Sequence, residues 1–276
     1  MKRKYNNWRF LLTSACNANC FFCHRDGTDQ KGFFLDYFTF DKIIDKFSKQ
    51  ITKLRFAGGE PFLHPDLFKM IKRVLPITKD VGVVTNGLLL SKYFKEIKES
   101  NLSKLTVSLH TLNENSFEKI TGVNKLEHKK IINSIANLKN YLKIKINVVI
   151  LKNINTTEED LNNLIYFVIE NNLDIEFIEL DSGSLKEINF KKCHLDSANI
   201  KYKLEELFDV KLNWDKEESN WVGYIRNSKI EVHQSLCINK LCEKCIKTRP
   251  ILMYPDGTVN RCRLGKPLIK NLSGII

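Results

Sequence analysis

Three of the chain's eight cysteines lie close together in the sequence Cys16-Asn-Ala-Asn-Cys20-Phe-Phe-Cys23. Thiolates are soft ligands, which favour iron-sulfur clusters or zinc. A closed structural site takes four protein ligands, so three thiolates on one loop leave a metal position open for a cofactor or a substrate. The alternative is a zinc site that uses His24 as its fourth ligand. In either case the spacing predicts a metal centre on this loop.

A second group of cysteines lies near the end of the sequence. Cys242 and Cys245 are separated by two residues, and Cys262 follows later in the chain. Two thiolates on a tight turn and a third from a following hairpin can converge on one metal. Cys237 or His233 would supply a fourth ligand if this group formed a structural zinc ribbon. The sequence therefore predicts a second metal centre, with iron-sulfur and zinc both open.

The hydrophobic pattern predicts the elements that position these cysteines. Six apolar segments rich in β-branched residues recur along the chain, and each is typical of a buried strand. These segments span residues 8–13, 54–57, 81–85, 105–109, 144–150 and 175–180. Stretches with helical periodicity lie between them, and the last begins with the capping pair Thr157 and Asp160. Alternating strands and helices predict a parallel sheet, in which the first cysteine group follows directly on the first strand.

Six strand-helix units are two short of a closed eight-fold barrel. We therefore predict an α/β fold, an open three-quarter (βα)6 TIM-like barrel followed by a small α+β domain, which is an iron-sulfur domain if the second cysteine group binds iron. The alternation of predicted strands and helices stops after about residue 182. The predicted domains are a partial barrel over residues 1–183 and a cysteine-bearing domain over residues 184–276. The active face of such a barrel lies at the C-terminal ends of its strands.

Composition and charge narrow the class of protein. The sequence has no stretch that reaches the roughly 20 apolar residues of a membrane-spanning helix. Eight cysteines without an export signal are not expected to form a disulfide framework, so we predict a cytoplasmic protein with no membrane partner. The net charge of +12 suits a phosphorylated ligand or nucleic acid. Because the lysines are spread over predicted solvated helix faces, nucleic acid is not the expected partner. A zinc-stabilised RNA-binding protein is the alternative from another class.

At the first cysteine group the sequence resembles the radical S-adenosylmethionine (SAM) superfamily. The hallmark of that family is C-x3-C-x2-C with an aromatic residue before the last Cys, here Phe22. Three further family motifs follow in order at predicted strands: Gly58-Gly59-Glu60-Pro61, Val84-Thr85-Asn86-Gly87 and Val107-Ser108-Leu109.

The resemblance implies a 4Fe-4S cluster on Cys16, Cys20 and Cys23, with one iron left to bind SAM. It further implies that an electron from the cluster cleaves SAM to methionine and a 5'-deoxyadenosyl radical. The residues implied to contact SAM are Phe22, Gly58, Gly59, Glu60, Thr85, Asn86, Ser108 and Leu180.

Over residues 9–263 the resemblance extends to the branch typified by the molybdenum-cofactor GTP 3',8-cyclase. Arg9 lies seven residues before the first Cys, as does a substrate-binding Arg of that branch. Lys145-Ile146-Asn147-Val148-Val149 resembles its KxNxV strand, and Arg249 is matched to one of its basic residues after the second cysteine pair. The resemblance implies that Arg9, Lys145, Asn147 and Arg249 bind the substrate.

The same branch holds an auxiliary 4Fe-4S cluster on a C-x2-C pair and a distant third Cys. The resemblance implies this role for Cys242, Cys245 and Cys262, with Cys237 as a candidate fourth ligand. Some positions depart from the branch. Its Arg after the GGEP motif falls at His64, and its C-terminal Gly-Gly tail is replaced by an ending in Ser-Gly-Ile-Ile.

We therefore expect a radical SAM enzyme that abstracts hydrogen from a bound small-molecule substrate. A purine nucleotide is the first expectation, and cyclisation of GTP is its specific form. The alternative is a maturase of a peptide or small-molecule natural product, which the missing Gly-Gly tail favours. Flavodoxin or ferredoxin is the expected electron donor.

Overall fold

The computed structural model describes residues 6–23, 32–181, 187–237 and 249–261. Contacts within the chain divide it into two compact units. One contains Met1–Asn17, Arg25–Thr106 and Arg249–Ile276, and the other contains Ala18–His24 and Val107–Thr248. None of the helices in the described ranges is both long and apolar enough to cross a bilayer.

The described residues form strands and helices that alternate through most of the chain. The strands are β1 (Asn7–Leu11), β2 (Lys53–Ala57), β3 (Asp80–Thr85), β4 (Lys104–Ser108), β5 (Lys143–Ile150), β6 (Asp174–Glu179), β7 (Asn213–Asp215), β8 (Asn220–Ile225), β9 (Ser228–His233), β10 (Ile251–Met253) and β11 (Val259–Asn260). The helices are α1 (Tyr37–Phe47), α2 (Leu67–Val74), α3 (Phe94–Glu99), α4 (Glu114–Thr121), α5 (Leu126–Leu138), α6 (Glu158–Glu170), α7 (Glu187–Cys193) and α8 (Ser197–Phe208). Short 3-10 helices span Ser48–Gln50 and Pro61–Leu63.

The first unit is built on parallel strands around β1. Strand β2 pairs with β1 on one side and β10 pairs with it on the other, both in parallel. Strand β3 continues the parallel sheet beside β2, and β11 pairs antiparallel with β10. Phe10 and Phe56 are fully buried in neighbouring strands, and Phe40 of α1 packs on both rings. This aromatic core fixes the position at which β1 ends and the first cysteine segment begins.

The second unit continues the parallel pattern with β5, β6 and β9. Strand β6 lies between β5 and β9, and β8 and β7 then follow antiparallel as a hairpin extension. Strand β5 alternates between buried Ile or Val residues and more exposed Lys, Asn and Val residues. Such alternation gives the strand one apolar face and one polar face.

The predicted α/β fold with parallel strands is confirmed. All six predicted strands are present, each shifted by at most two residues at either end. The predicted capping box at the start of α6 is also present, because Thr157 and Asp160 each accept a hydrogen bond from the other's backbone amide. The predicted domains over residues 1–183 and 184–276 stay a prediction.

Candidate functional site

The segment from β1 to Cys16 runs directly against the Gly-Gly-Glu segment after β2. The amide of Gly59 donates to the carbonyl of Thr13 at 2.7 Å, and the amide of Glu60 donates to the carbonyl of Ala15 at 2.8 Å. A Cβ at Gly59 would lie 2.1 Å from that Ala15 oxygen, and one at Gly58, whose φ is +133°, would lie 2.4 Å from the Thr13 oxygen. The two glycines are therefore required by the backbone that carries Cys16.

Residues 33–35 hold the same segment from its other side. Ser14 donates its amide to the carbonyl of Phe33, and its hydroxyl oxygen accepts from the Phe33 amide, both at 3.0 Å. Leu35 donates to Leu12 at 2.8 Å. Hydrogen bonds on both sides thus fix the backbone up to Ala15, and Cys16 follows as an exposed residue.

In the second unit, Cys20 and Cys23 lie on a turn that is fastened to the end of α4. The amides of Asn19 and Phe21 donate to the carbonyls of Thr121 and Ile120, at 2.8 and 3.2 Å. The turn closes where Cys23 donates to the carbonyl of Cys20 at 3.1 Å. Gly122 ends α4 in the left-handed conformation, with φ of +66°. This gives a structural reason for the Ile-Thr-Gly sequence, whose anchoring role the sequence analysis missed.

Phe22, between these cysteines, is buried in an apolar cluster with Ile120, Leu151 and Leu180. Its ring meets the ring of His110 edge to face at 5.0 Å. His110 accepts a hydrogen bond from the amide of Val149 on Nδ1, and its burial lowers its pKa to about 4. The imidazole is therefore neutral at pH 7, so the turn bearing Cys20 and Cys23 rests on an uncharged core.

Glu60 links the Gly-Gly-Glu segment to the end of β3. Its carboxylate is completely buried and accepts hydrogen bonds from the amide of Phe62 at 3.0 Å, the hydroxyl of Thr85 at 2.9 Å and the amide of Asn86 at 2.8 Å. Burial raises the pKa of Glu60 to about 7, and the three donors act against this rise. These donors connect Glu60 to the end of β3, and its predicted contact with SAM stays a prediction.

Asn86, which is bonded to Glu60, also contacts the first cysteine. Its side-chain amide donates to Sγ of Cys16 at 3.6 Å and to Oδ1 of Asn17 at 2.8 Å. Its own Oδ1 accepts from the amide of Leu88 at 3.0 Å, which fixes the orientation of the amide group. An N–H donor on a cysteine sulfur stabilises negative charge there, as a thiolate ligand requires.

The predicted substrate residue Lys145 is paired with two carboxylates. Its ammonium contacts Glu176 and lies 3.2 Å from Glu231, and all three side chains are largely buried. Burial acts to lower the pKa of Lys145, but the attraction of the two carboxylates outweighs it and raises that pKa above its usual value. The lysine is therefore charged and neutralised within the protein. Its predicted contact with a nucleotide stays a prediction, and these ion pairs count against a phosphate contact.

The other residues predicted to bind the substrate or SAM lie in different elements of the fold. Asn147 lies two residues after Lys145 on the same face of β5, Ser108 is the last residue of β4, and Arg9 and Arg249 are half-buried. Arg9 is in β1, and Arg249 lies two residues before β10.

The second cysteine group falls mainly outside the described residues. Cys242, Cys245 and Cys262 are not described, and Cys237, the candidate fourth ligand, is half-buried four residues after β9. Within the described ranges, no three Cys, His, Asp or Glu side chains are arranged as a ready-made metal site. The first group nevertheless has the donor set of an iron-sulfur cluster: Cys16 and Cys23 are exposed, Cys20 is half-exposed, and Asn86 donates to one sulfur.

Comparisons with known proteins agree with this site chemistry. The family model of the radical SAM superfamily matches residues 10–165. A probable GTP 3',8-cyclase of Pyrococcus abyssi is 32% identical over 281 residues, which cover 99% of this chain and 89% of that protein. The probable GTP 3',8-cyclase of Methanothermobacter thermautotrophicus is 29% identical over 259 residues, which cover 93% of this chain and 83% of that protein.

Solved structures show the same fold at lower sequence identity. Streptococcus suis SuiB bound to S-adenosylmethionine superposes with a TM-score of 0.74 at 16% identity, over 97% of this chain and 63% of that chain. Native anSMEcpe with bound AdoMet and a Cp18Cys peptide gives a TM-score of 0.63 at 15% identity, over 93% of this chain and 73% of that chain. The predicted partial barrel is consistent with these neighbours. From the family match over residues 10–165 and the relatives aligned along nearly the whole sequence, the chain belongs to the radical SAM superfamily.

Proposed function

We propose that the chain is a radical SAM enzyme that acts on a purine nucleotide, in a reaction like that of GTP 3',8-cyclase. The observation that carries this proposal is the similarity to probable GTP 3',8-cyclases, which reaches 32% identity and covers 99% of the chain. Enzymatic activity is general to the superfamily, so membership counts against the non-catalytic RNA-binding alternative.

In this proposal Cys16, Cys20 and Cys23 hold a 4Fe-4S cluster through three thiolates. When bound, the cluster supplies the electron that cleaves SAM to methionine and a 5'-deoxyadenosyl radical, which abstracts hydrogen from the substrate. The protein's own part is to fix the three cysteines. The Gly-Gly-Glu segment holds the backbone before Cys16, and the end of α4 holds the turn with Cys20 and Cys23.

The SAM side of the site is proposed to lie along the ends of the first strands. Gly58, Gly59 and Glu60 are proposed to contact the cofactor, and Glu60 also keeps Thr85 and Asn86 in place. Phe22 and Leu180 form part of one apolar cluster, which excludes water behind the cysteine turn. Ser108 completes the proposed set as a polar group at the end of β4.

A second 4Fe-4S cluster on Cys242, Cys245 and Cys262, with Cys237 as a further ligand, is also part of the proposal. It is supported by the C-x2-C spacing and by the full-length likeness to the cyclases. Arg9 and Arg249 are proposed to bind the nucleotide's phosphates. Flavodoxin or ferredoxin is proposed as the physiological electron donor.

The decisive experiment is anaerobic reconstitution with iron and sulfide, followed by incubation with dithionite, SAM and GTP. We expect mass spectrometry to find 5'-deoxyadenosine together with a cyclised GTP product. The Cys16→Ala variant should form neither, whereas Cys193→Ala, which alters a cysteine outside both groups, should retain both. Formation of 5'-deoxyadenosine with modification of a peptide and no GTP product would replace the nucleotide assignment by the peptide one. Failure to form 5'-deoxyadenosine would contradict the whole proposal.

A further inference from the structure

A buried carboxylate ends β6, outside the cysteine and glycine segments of the candidate site. Glu179 is the last residue of that strand, and its side chain is 1% exposed. Its Oε1 lies 2.8 Å from Nε2 of His194. Its Oε2 accepts from the hydroxyl of Ser197 at 2.8 Å and from the amide of Ser235 at 3.0 Å. Three partners thus fix this carboxylate at the C-terminal end of a parallel strand, where the active face of such a barrel lies.

The carboxylate also determines which ring nitrogen of His194 carries the proton. An ionised carboxylate only accepts hydrogen bonds, so Nε2 of His194 is the N–H donor and Nδ1 is an acceptor. Nδ1 has no hydrogen-bond partner within the described residues, and it is accessible from outside the protein. The side chain as a whole is 21% exposed. In His64, by contrast, both ring nitrogens bond to the backbone and the side chain is buried.

His194 is packed towards the turn that carries Cys20 and Cys23. Its ring stacks on the ring of Phe190, with the centroids 4.8 Å apart. Phe190 packs against the apolar cluster that contains Phe22 and Leu180, and Cys20 packs against the same cluster. His194 is therefore connected to the cysteine turn through one aromatic ring and this cluster, all within the second compact unit.

Backbone hydrogen bonds hold His194 at the same edge of the sheet. The carbonyl of Cys193 accepts from the amide of Lys152, two residues after β5, at 2.8 Å. The amide of His194 donates to the carbonyl of Phe190 at 2.8 Å. The imidazole is thus fixed by its backbone, by Glu179 and by the Phe190 ring. Such fixing is what a side chain needs if it is to meet a reacting group in one geometry.

A neutral side chain at residue 179 would hold these segments as well as the carboxylate does. A glutamine could accept from Ser197 and Ser235 through its oxygen and donate to His194 through its amide nitrogen. A buried carboxylate also costs more free energy to desolvate than an amide does. What the carboxylate adds is the tautomer of His194, because an acceptor opposite Nε2 leaves Nδ1 without a proton.

We propose that His194 is a catalytic residue whose Nδ1 accepts a hydrogen bond from a substrate hydroxyl on the carbon that loses its hydrogen, with Glu179 as its positioning residue. The inference rests on the proposed function, which supplies the radical and a substrate with a ribose. As the C–H bond breaks, the neighbouring O–H becomes more acidic, so its hydrogen bond to Nδ1 strengthens in the transition state. The hydrogen atom passes to the 5'-deoxyadenosyl radical and gives 5'-deoxyadenosine. The hydroxyl keeps its proton, and this step needs no additional electron.

The position of the proton on His194 can be measured without SAM. The measurement is 15N NMR of the reconstituted, oxidised full-length protein labelled at histidine, and the His194→Gln variant assigns the signals. We expect the proton on Nε2 in the wild type. In Glu179→Gln we expect it on Nδ1, because the glutamine amide donates to Nε2.

Transfer of hydrogen from the substrate tests the catalytic role. The probe is GTP deuterated on the ribose, incubated with SAM and dithionite, and mass spectrometry measures the deuterium in 5'-deoxyadenosine. His194→Gln keeps an N–H donor for Glu179 and removes the Nδ1 acceptor, so we expect deuterium transfer to fall at least tenfold. Glu179→Gln should cause a similar fall while iron content and melting temperature stay unchanged. Structural support alone would not give that combination.

His128→Gln is the matched control for the substitution of His194. His128 is buried in the same unit, and its Nε2 lies 3.0 Å from the carbonyl of Thr111. Its ring also packs on Phe117, with the centroids 4.9 Å apart. Because this histidine supports the fold, we expect a lower melting temperature with deuterium transfer within twofold of the wild type.

Three results would overturn the inference. They are a wild-type His194 that carries its proton on Nδ1, a His194→Gln variant that transfers deuterium like the wild type, and wild-type 5'-deoxyadenosine that contains no deuterium. In each case 5'-deoxyadenosine is still formed, so the proposed radical chemistry stands. If the wild type forms no 5'-deoxyadenosine, the proposed function itself fails and the inference fails with it. If Glu179→Gln does not fold, the wild-type NMR spectrum and His194→Gln still decide the matter.

Discussion

Asn86 connects two parts of the candidate site through single hydrogen bonds. Its backbone amide donates to Glu60, and its side-chain amide donates to Sγ of Cys16. A donor on a cluster sulfur stabilises the more negative, reduced state. We therefore predict that Asn86→Leu lowers the reduction potential of the reconstituted cluster. One net hydrogen bond of about 1 kcal/mol corresponds to about 40 mV for one electron.

An anaerobic redox titration monitored by electron paramagnetic resonance measures this shift. Asn163, which is exposed on α6, supplies the matched control, and Asn163→Leu should leave the potential unchanged. Equal potentials for Asn86→Leu and the wild type would show that the contact with Cys16 does not influence the cluster.

Glu60 makes the stability of the protein depend on pH in a defined direction. Its pKa in the folded protein is about 7, above the ordinary value of 4.5, so the folded state holds the proton more tightly than the unfolded state. The free energy of unfolding should therefore decrease as pH rises from about 4 to 8, by roughly 3 kcal/mol from this group. In Glu60→Gln this contribution should vanish. Urea denaturation of both proteins across that pH range gives the comparison, and parallel pH profiles would refute the assignment.

Residue spacing pointed to the first cysteine group, and the family motifs pointed to the Gly-Gly-Glu segment and the Thr85-Asn86 pair; their roles in binding a cluster and SAM stay predictions. Spacing did not give their contacts. The sequence analysis expected Glu60 to contact SAM, which stays a prediction, but it did not reveal that the Glu60 oxygens also accept from Phe62, Thr85 and Asn86. The sequence of a glutamate motif is the same whether the carboxylate binds a cofactor or a neighbouring loop. Spacing alone therefore cannot show which of these partners the glutamate has.

At the scale of the elements, the Gly-Gly-Glu segment sets how closely β2's loop approaches the loop after β1. We predict that Gly59→Ala displaces the backbone around Ala15, since the added Cβ would lie 2.1 Å from its carbonyl oxygen. The expected result is a loss of half or more of the iron bound per chain, measured after reconstitution, together with a lower melting temperature.

Gly257→Ala is the control for this substitution. Gly257 has open space around its Cβ position but a φ of +81°, so alanine there introduces backbone strain of about 1–2 kcal/mol without a clash. We expect a lower melting temperature with iron content unchanged. If both variants bound iron like the wild type, the close approach at Gly59 would not matter for the cysteine loop.

The elements themselves were predictable where hydrophobic runs are strong. Strand β3, for example, has Val81 and Val83 fully buried in the short apolar run Val-Gly-Val-Val, which identifies the strand without any partner. The prediction missed α4, because its sequence Glu-Asn-Ser-Phe-Glu-Lys-Ile-Thr is short and mostly polar. Its available signal was Asn113, whose side chain caps the helix by accepting from the amides of Asn115 and Ser116.

For the molecule as a whole, strand partners were the least predictable feature. The sequence analysis expected a hairpin near the second cysteine group, but not that β9 joins β6 and β10 joins β1. Pairing between distant segments depends on the fold of everything between them, whereas a hairpin depends on its own turn.

The pairing of β10 with β1 leads to a prediction about truncation. Ile251 and Met253 of β10 are buried, each worth about 1.5–3 kcal/mol of hydrophobic stabilisation. Removal of residues 249–276 also leaves one edge of β1 unpaired, which promotes aggregation. We expect residues 1–248 to be insoluble or to melt well below the full chain, whereas residues 1–261, which retain β10 and β11, should stay folded. Similar melting temperatures for residues 1–248 and 1–261 would contradict this view of the sheet.

The same strand pair has a consequence for synthesis on the ribosome. Asn7–Leu11 is synthesised before Ile251–Met253, which emerges roughly 240 residues later. At about 5–20 residues per second, the nascent chain spends roughly 12–50 seconds with one side of its first apolar strand uncovered. During that interval the edge of β1 is open to other chains, so translation speed and chaperone supply should influence the yield of native protein.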